Sequence, residues 1–297
     1  LFLPFKKLGI IIVDEEHDTS YKQDERVIYN ARDMAISRAS FEKIPIHLVT
    51  SVPSIETYNN IQNKKYRHIK IFKRYDNYPL PNAKIVNLNL NKSKNKFIAQ
   101  ETIDFVKKYL DKGEQVLFFI NRRGFAPYLV CKKCGFKYVC PNCSLYLTFH
   151  KIKNRAICHH CSFEKKTEKK CGTKGKCDFI MYGPGVEKIY EEVNELFPNK
   201  KTDIFSSDYL KSKKGVKNLF EKIKNNKIDI LIGTQMISKG FNFPKLNCIV
   251  VIDADFSGRG YDLRTTEKNI QLYHQLSGRA GRFSMESLII YQTLSPE

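Results

Sequence analysis

An apolar run from Gly9 to Val13 ends in Asp14, Glu15, Glu16 and His17. Acids at the carboxyl end of a rigid strand suit phosphoryl chemistry. The first, Asp14, can hold Mg²⁺ on a bound nucleotide, and the second, Glu15, can orient or activate the attacking water. A solvated acidic turn behind a core strand would read the same way, and four-letter matches are common. The motif gains weight only with partners elsewhere in the chain.

Two partners lie in the second half. Gly233-Thr234-Gln235-Met236-Ile237-Ser238-Lys239-Gly240 follows a strand-like run ending at Ile232. A strand followed by Gly-Thr and polar residues suits a loop whose backbone N–H groups and hydroxyls touch phosphate. Gln275-Leu276-Ser277-Gly278-Arg279-Ala280-Gly281-Arg282 closes a helical stretch read as Thr266 to Ala280. Arg279 and Arg282 are three apart, so a helix puts them on nearly one face, where two guanidiniums can reach one phosphate. A surface ion pair would account for either arginine alone. Two glycines in a helical context, however, cost stability unless something approaches closely. Softer candidates for DNA contact are Asn121-Arg122-Arg123-Gly124, after a strand, and Gly183-Pro184-Gly185, opening a helix whose free N–H groups can hold a phosphate. Either also reads as an ordinary connection.

The chain has 9 cysteines, and all except Cys248 lie between Cys131 and Cys177. Cys131/Cys134, Cys140/Cys143 and Cys158/Cys161 are C-x-x-C knuckles, followed by Cys171 and Cys177. A knuckle places two thiolates on one tetrahedral metal, and two knuckles complete a four-cysteine site. These residues suffice for two closed structural Zn²⁺ ions, which leave no open position for chemistry. The expected pairing is nested, with Cys140, Cys143, Cys158 and Cys161 in one site and Cys131, Cys134, Cys171 and Cys177 in the other. Cys171 and Cys177 are the irregular pair, and His150, His159 and His160 are able to substitute. Buried or redox cysteines would explain one knuckle but not three. A secreted disulfide scaffold would be short, with cysteines spread along it. Lys132, Lys133, Lys137, Lys151, Lys153 and Arg155 make the island basic, which suits contact with DNA.

These motifs need a scaffold, and the rest of the sequence describes one. Short β-branched runs (Ile46 to Thr50, Lys84 to Leu90, Gln115 to Ile120, Thr202 to Phe205, Ile228 to Ile232, Cys248 to Ile252, Leu288 to Gln292) alternate with helical stretches. The helices are expected at Ala31 to Ser40, from Ile55, and at Phe97 to Leu110, Val186 to Phe197, Lys214 to Lys224 and Thr266 to Ala280. Such alternation means parallel sheets with helices on both faces, and ligands at the carboxyl ends of strands. A polar, basic stretch near residues 66–82 reads as a linker between two α/β halves. Hydrophobic content of 42% fits a folded chain. Lys and Arg number 51 against 31 Asp and Glu, a formal charge of +20, which favours a polyanionic partner. An AT-rich genome enriches Lys and Asn in the same way, so charge alone adds little. No apolar run reaches the ~20 residues of a membrane span. The start has no basic leader of a signal peptide, and the expected location is cytoplasmic.

Taken together, DEEH, GTQMxxKG and QxxGRAGR resemble superfamily 2 helicases, with DEEH as the Walker B motif. The cysteine island directly after FINRRGFAP, then GPGVEK, is similar to the primosomal protein N′ (PriA) family of replication-restart helicases. SYKQ, YNARDMA and DADF fit that resemblance too. It implies RecA-like P-loop NTPase helicase lobes, the second carrying an inserted zinc module. The expected layout is the end of a first lobe in 1–65, a linker in 66–82, the start of a second lobe in 83–127, the zinc module in 128–178 and the rest of that lobe in 179–297. The resemblance implies ATP- and Mg²⁺-dependent 3′-to-5′ unwinding of DNA at stalled forks and D-loops. Its implied partners are single-stranded DNA, other primosome proteins, single-stranded DNA-binding protein and the replicative helicase loader. By position, Asp14 and Glu15 would serve Mg²⁺ and water. His17 and Thr50, Ser51, Pro53 and Ser54 would couple ATP to DNA. Gly233, Thr234, Gln235, Lys239 and Gly240 would face DNA and nucleotide, and Gln275, Arg279 and Arg282 would sense the γ-phosphate.

The sequence departs from this pattern in places. Thr50-Ser51-Val52-Pro53-Ser54 stands where SATPS is usual, and Glu168 stands where a fourth knuckle would begin. The phosphate-binding loop with its lysine would precede residue 1, so these residues alone are expected not to hydrolyse ATP, and the first lobe alone is expected to be unstable. Two other readings compete. A non-enzymatic zinc-ribbon nucleic-acid-binding protein explains the cysteines and the charge but leaves DEEH and QxxGRAGR as accidents. A different superfamily 2 motor, RecG-like or acting on RNA, is disfavoured by the cysteine island.

Overall fold

Val116 to Phe119 are apolar and wholly buried because they lie in the middle of a sheet covered on both faces. The computed structural model describes residues 2–23, 26–72, 74–88, 90, 97–121, 128–131, 138–142, 147–150, 155–158, 161, 163–166, 179–182, 185–206, 210, 213–238, 243–254, 264–293 and 296. The chain divides into two compact units, residues 1–72 and 73–297.

In the first unit, β1 (Ile11–Asp14) is followed by the short strands β2 (Lys22–Gln23) and β3 (Tyr29–Asn30), then α1 (Ala31–Glu42), β4 (Ile46–Val49) and α2 (Ile55–Gln62). β1 and β4 pair in parallel, with Asp14 opposite Val49. Asn30 caps α1 by accepting from the N–H of Arg32, and Ser54 caps α2 by accepting from that of Thr57. Among the described residues of this unit, the buried apolar side chains are Val13, Ala35 and Ala39, while Ile12 is 63% exposed.

The second unit contains β5 (Asn82–Asn87), α3 (Gln100–Asp111), β6 (Gln115–Phe119), β7 (Tyr128–Cys131), β8 (Thr148–His150), β9 (Arg155–Ile157), β10 (Glu164–Lys166), β11 (Phe179–Tyr182), α4 (Val186–Leu196), β12 (Thr202–Phe205), α5 (Lys213–Lys224), β13 (Ile230–Gly233), β14 (Leu246–Val251), α6 (Thr265–Ser277) and β15 (Leu288–Thr293). Six of these strands form one sheet in the order β12-β13-β6-β14-β15-β5, parallel throughout. Alternate residues feed opposite faces. Val116, Phe118, Ile230, Ile232 and Val250 pack against α3 and α4, through Ile103, Val106, Ile189 and Val193. Leu117, Phe119, Leu231, Ile249 and Val251 pack against α5 and α6, through Leu219, Ile223, Leu272 and Leu276. The expected doubly wound α/β arrangement is present.

The largest differences from the sequence expectation among helix ends are at the start of α3 and the end of α6. α3 begins at Gln100 rather than Phe97, because the N–H groups of Phe97 and Ile98 donate to the Glu192 carboxylate and that of Ala99 to Gln292. N–H groups at the head of a helix have no acceptor within it, and here side chains distant in sequence satisfy them. α6 ends at Ser277, not Ala280, with Gly278 as its cap and Gly281 at a φ of 63°.

β7 and β11 pair antiparallel, with Tyr128 opposite Tyr182. Between them, β8, β9 and β10 form a three-stranded antiparallel sheet. Tyr138, Cys140, Leu147, Ala156 and Cys158, with Phe163 against them, make a small separate core. Among the described residues, no helix is long and apolar enough to cross a membrane.

Candidate functional site

Asp14 is the last residue of β1 and is exposed there. Glu15 has a φ of 49°, uncommon for a residue with a side chain, and the turn it makes is held on several sides. Its N–H donates to the Asp14 carboxylate at 2.9 Å, and the N–H of Asp18 donates to its carbonyl at 2.7 Å. The Tyr21 hydroxyl donates to the Asp14 carbonyl at 2.6 Å. Partial burial raises the Tyr21 pKa, and Asp14, Asp18 and Glu15 add to the rise, so the phenol remains a neutral donor.

The third acid, Glu16, has a structural place that sequence reasoning did not give it. It is 1% exposed. Its carboxylate accepts from the Ser54 N–H at 2.7 Å and from the Ser54 hydroxyl, the Thr57 hydroxyl and the Arg32 guanidinium, each at 3.0 Å. Arg32 also donates to the Ser54 hydroxyl at 2.7 Å and to the Asp33 carboxylate at 2.8 Å. Burial alone would lower the Arg32 pKa, but the hydrogen bonds and charges of Asp33 and Glu16 outweigh it and the pKa is raised. One fully bonded carboxylate thus ties the acid turn to the start of α2. The arginine of YNARDMA was the available signal, and its type alone did not reveal a buried partner.

His17 makes the second tie. Its Nδ1 lies 2.6 Å from the Thr50 hydroxyl, and that hydroxyl donates to the Val52 carbonyl at 2.8 Å. With its proton used there, the hydroxyl accepts from Nδ1–H. His17 Nε2 is 3.5 Å from the Glu15 carboxylate. Thr50 and Ser54 are therefore both bound to the acid turn, with Ser51 exposed and Pro53 half-buried between them. Asp14, Glu15, His17, Thr50 and Ser54 are brought together within the first unit. Asp14, a carboxylate at an open strand end, suits a Mg²⁺ ligand.

In the second unit the expected residues fall at opposite edges of the sheet. Asn121 and Thr234 lie just beyond the carboxyl ends of β6 and β13. Gln235 donates to the Asn121 amide oxygen at 3.0 Å, and Asn121 donates to that of Asn269 in α6 at 3.1 Å. Gly233 is closely packed. A Cβ there would meet Ile237 at 3.1 Å and Leu117 at 3.3 Å. At the amino edge, the N–H of Gly281 donates to the carbonyl of Leu246, the first residue of β14, at 3.0 Å. Arg279 and Arg282 thus sit in a turn at the amino edge, with Gln275 on the last part of α6 before it. They leave the helix on which shared spacing was expected to align them. α6, about 20 Å long at 1.5 Å per residue, runs from one edge to the other.

Gly185 is the N-cap of α4. Arg122, Arg123, Gly183, Lys239 and Gly240 lie outside the described residues, as do Asp255 and Phe256 of DADF.

Three sulfurs, of Cys140, Cys158 and Cys161, lie within 4.8 Å of one another, with Cys140 and Cys161 3.5 Å apart. Tetrahedral zinc with sulfurs at about 2.3 Å separates them by about 3.8 Å, so this donor set fits the metal. Burial pushes the Cys140 thiol up to about 11, while the backbone N–H of Phe163 holds that of Cys161 down. Cys143, Cys134, Cys171 and Cys177 lie outside the described residues, and Cys131 is described only as backbone in β7.

Residues 152–284 match the family model for the helicase conserved C-terminal domain. With the parallel six-stranded sheet, this makes the second unit a RecA-like helicase lobe. The whole chain is 44% identical over 299 residues to the replication restart protein PriA of Rickettsia conorii. It is 37% identical over 297 residues to that of Haemophilus influenzae and 33% identical over 298 residues to that of Bacillus subtilis. It covers 46%, 40% and 37% of those proteins, so it spans less than half the length of these curated relatives. Among solved structures, RecG bound to a three-way DNA junction aligns with 98% of the chain and 26% of its own, with a TM-score of 0.44 and 14% identity. S. cerevisiae Dbp5 bound to RNA and ADP BeF3 aligns with 98% and 54%, with a TM-score of 0.45 and 12% identity.

Proposed function

Because the chain belongs to the PriA family of replication restart proteins along its whole length, we propose that it carries part of the motor of an ATP-dependent 3′-to-5′ DNA helicase that restarts replication at stalled forks and D-loops. The observation that carries this reading is the locked acid turn. Asp14 stands open at a strand end, while Glu16 and His17 behind it are bonded to Ser54 and Thr50. Movement at the nucleotide would reach the Thr50–Ser54 segment through those two bonds.

In this reading Asp14 would hold Mg²⁺ on ATP and Glu15 would orient the attacking water. Mg²⁺ would supply charge stabilisation at the phosphates. The Arg279 and Arg282 turn meets the γ-phosphate, and the carboxyl edge of the second-unit sheet, through Asn121, Thr234 and Gln235, meets DNA. Residues 1–65 end a first lobe, 66–82 link, 83–127 and 179–297 make the second lobe, and 128–178 form the zinc module. The cysteines would hold two Zn²⁺ ions as structural supports for a basic DNA-contacting surface. Other primosome proteins, single-stranded DNA-binding protein and a helicase loader are the proposed partners, in the cytoplasm. The 297 residues alone, with no phosphate-cradling lysine loop among them, are proposed not to hydrolyse ATP.

The test is strand separation by the full-length gene product on a forked duplex, with ATP and Mg²⁺. Unwinding that tracks 3′ to 5′ and is lost in Asp14→Ala is expected. DNA binding without any ATP-dependent unwinding would favour the zinc-ribbon binding protein instead.

A further inference from the structure

Arg74 lies in the polar stretch that reads from sequence as a linker, yet its guanidinium is spent on the turn that carries Arg279 and Arg282. Nη2 donates to the carbonyls of Gly278 at 3.0 Å and Ala280 at 3.2 Å. Nη1 donates to Pro79 in its own segment at 2.9 Å, and more loosely to Ala280 at 3.3 Å and Gly281 at 3.4 Å. These carbonyls lie just past the end of α6, where the helix supplies no donors. Arg282 Nε donates to the same Gly278 carbonyl at 3.0 Å.

Two guanidiniums therefore share one carbonyl. The arrangement is electrostatically costly, and the Arg74 pKa is lowered by burial and then by Arg282. The turn has little freedom to adopt another shape. Gly281 has a φ of 63°, and a Cβ there would lie 2.1 Å from the Ser287 hydroxyl. A planar fork meets several carbonyls at once, which a lysine ammonium cannot do in the same plane.

We propose that Arg74 is a positioning residue that fixes the turn and aims Arg282 at the phosphate, without touching the phosphate itself. The proposal rests on the reading of that turn as the γ-phosphate sensor. Arg74 places a second positive charge beside Arg282, and an incoming phosphate would relieve the repulsion between them.

The test uses the full-length gene product with Arg74→Lys and Arg74→Gln, beside wild type and Arg282→Ala. Each is assayed for DNA-stimulated ATP hydrolysis below its own thermal midpoint, and for binding of ADP and of ADP with beryllium fluoride. Both Arg74 variants are expected to lose about tenfold or more in kcat, since misaiming a group by an ångström costs up to about a hundredfold. KM for ATP and the affinity for ADP should stay near wild type, while the beryllium fluoride complex weakens. If Arg282→Ala loses activity but the Arg74 variants keep wild-type kcat with only a lower thermal midpoint, the positioning role is wrong and the motor reading stands. If wild type hydrolyses no ATP, or Arg282→Ala leaves kcat unchanged, the sensor reading fails and this inference falls with it.

Discussion

The Glu16 carboxylate and the Arg32 guanidinium form an ion pair of 3.0 Å in which the two side chains are 0% and 8% exposed. Adjacent acids in one motif therefore have different environments. Glu15 is half-exposed on its turn and Glu16 is enclosed. Removing one partner of a buried pair strands a charge and costs about 3–5 kcal/mol. Arg32→Ala and Glu16→Ala are expected to lower stability on that scale in denaturant titrations, whereas Glu15→Gln should leave stability nearly unchanged and abolish ATP hydrolysis in the full-length protein. Equal destabilisation by all three would contradict the division of roles.

The two glycines of the arginine turn should respond differently to alanine. Gly281 combines a φ of 63° with a 2.1 Å clash at Ser287, and Gly278 has ordinary helical geometry with its nearest neighbour at 3.4 Å. Gly281→Ala is expected to destabilise by about 1–3 kcal/mol and to cut kcat. Gly278→Ala should be near neutral in stability. Thermal melts and steady-state ATP hydrolysis of the paired variants check this.

Much of the scaffold was legible in the sequence, because strands buried on both faces read as unbroken apolar runs, as in β6, β13 and β14. The helix ends were not, because their causes lie far off. Glu192 and Gln292 hold the residues that open α3, and the turn after α6 is held by Arg74 and by the bond from the Gly281 N–H to Leu246. Asp14, Glu15, His17, Thr50 and Ser54 were named from pattern and do meet. Glu16 was passed over because burial is not written in residue type and depends on Arg32 and Ser54. Arg74 and Asn269 were missed for the same reason, since their partners are remote along the chain.

Metal analysis of the chain is expected to give two zinc ions per molecule. Cys140→Ser or Cys158→Ser should remove one of them, because both sulfurs belong to the same cluster. It should also loosen the small core that includes Tyr138 and Leu147. Unchanged zinc content in those variants would show that the cluster holds no metal.

The two units should differ in autonomy. Among described residues the first buries three apolar side chains, Val13, Ala35 and Ala39, and its β1–β4 pair leaves Ile12 and Val49 exposed. Two strands with so small a core do not sustain a fold. Residues 1–72 expressed alone are expected to give unfolded circular dichroism and NMR spectra, while residues 73–297, with clusters on both faces of the sheet, give folded ones.

The central claim is that Asp14 and Arg282 each act in ATP hydrolysis. DNA-stimulated ATP hydrolysis by the full-length gene product, compared with Asp14→Ala and Arg282→Ala, tests it most directly. Turnover should fall to background in Asp14→Ala and by about a hundredfold or more in Arg282→Ala, with DNA affinity kept in both. Wild-type turnover in either variant would contradict it.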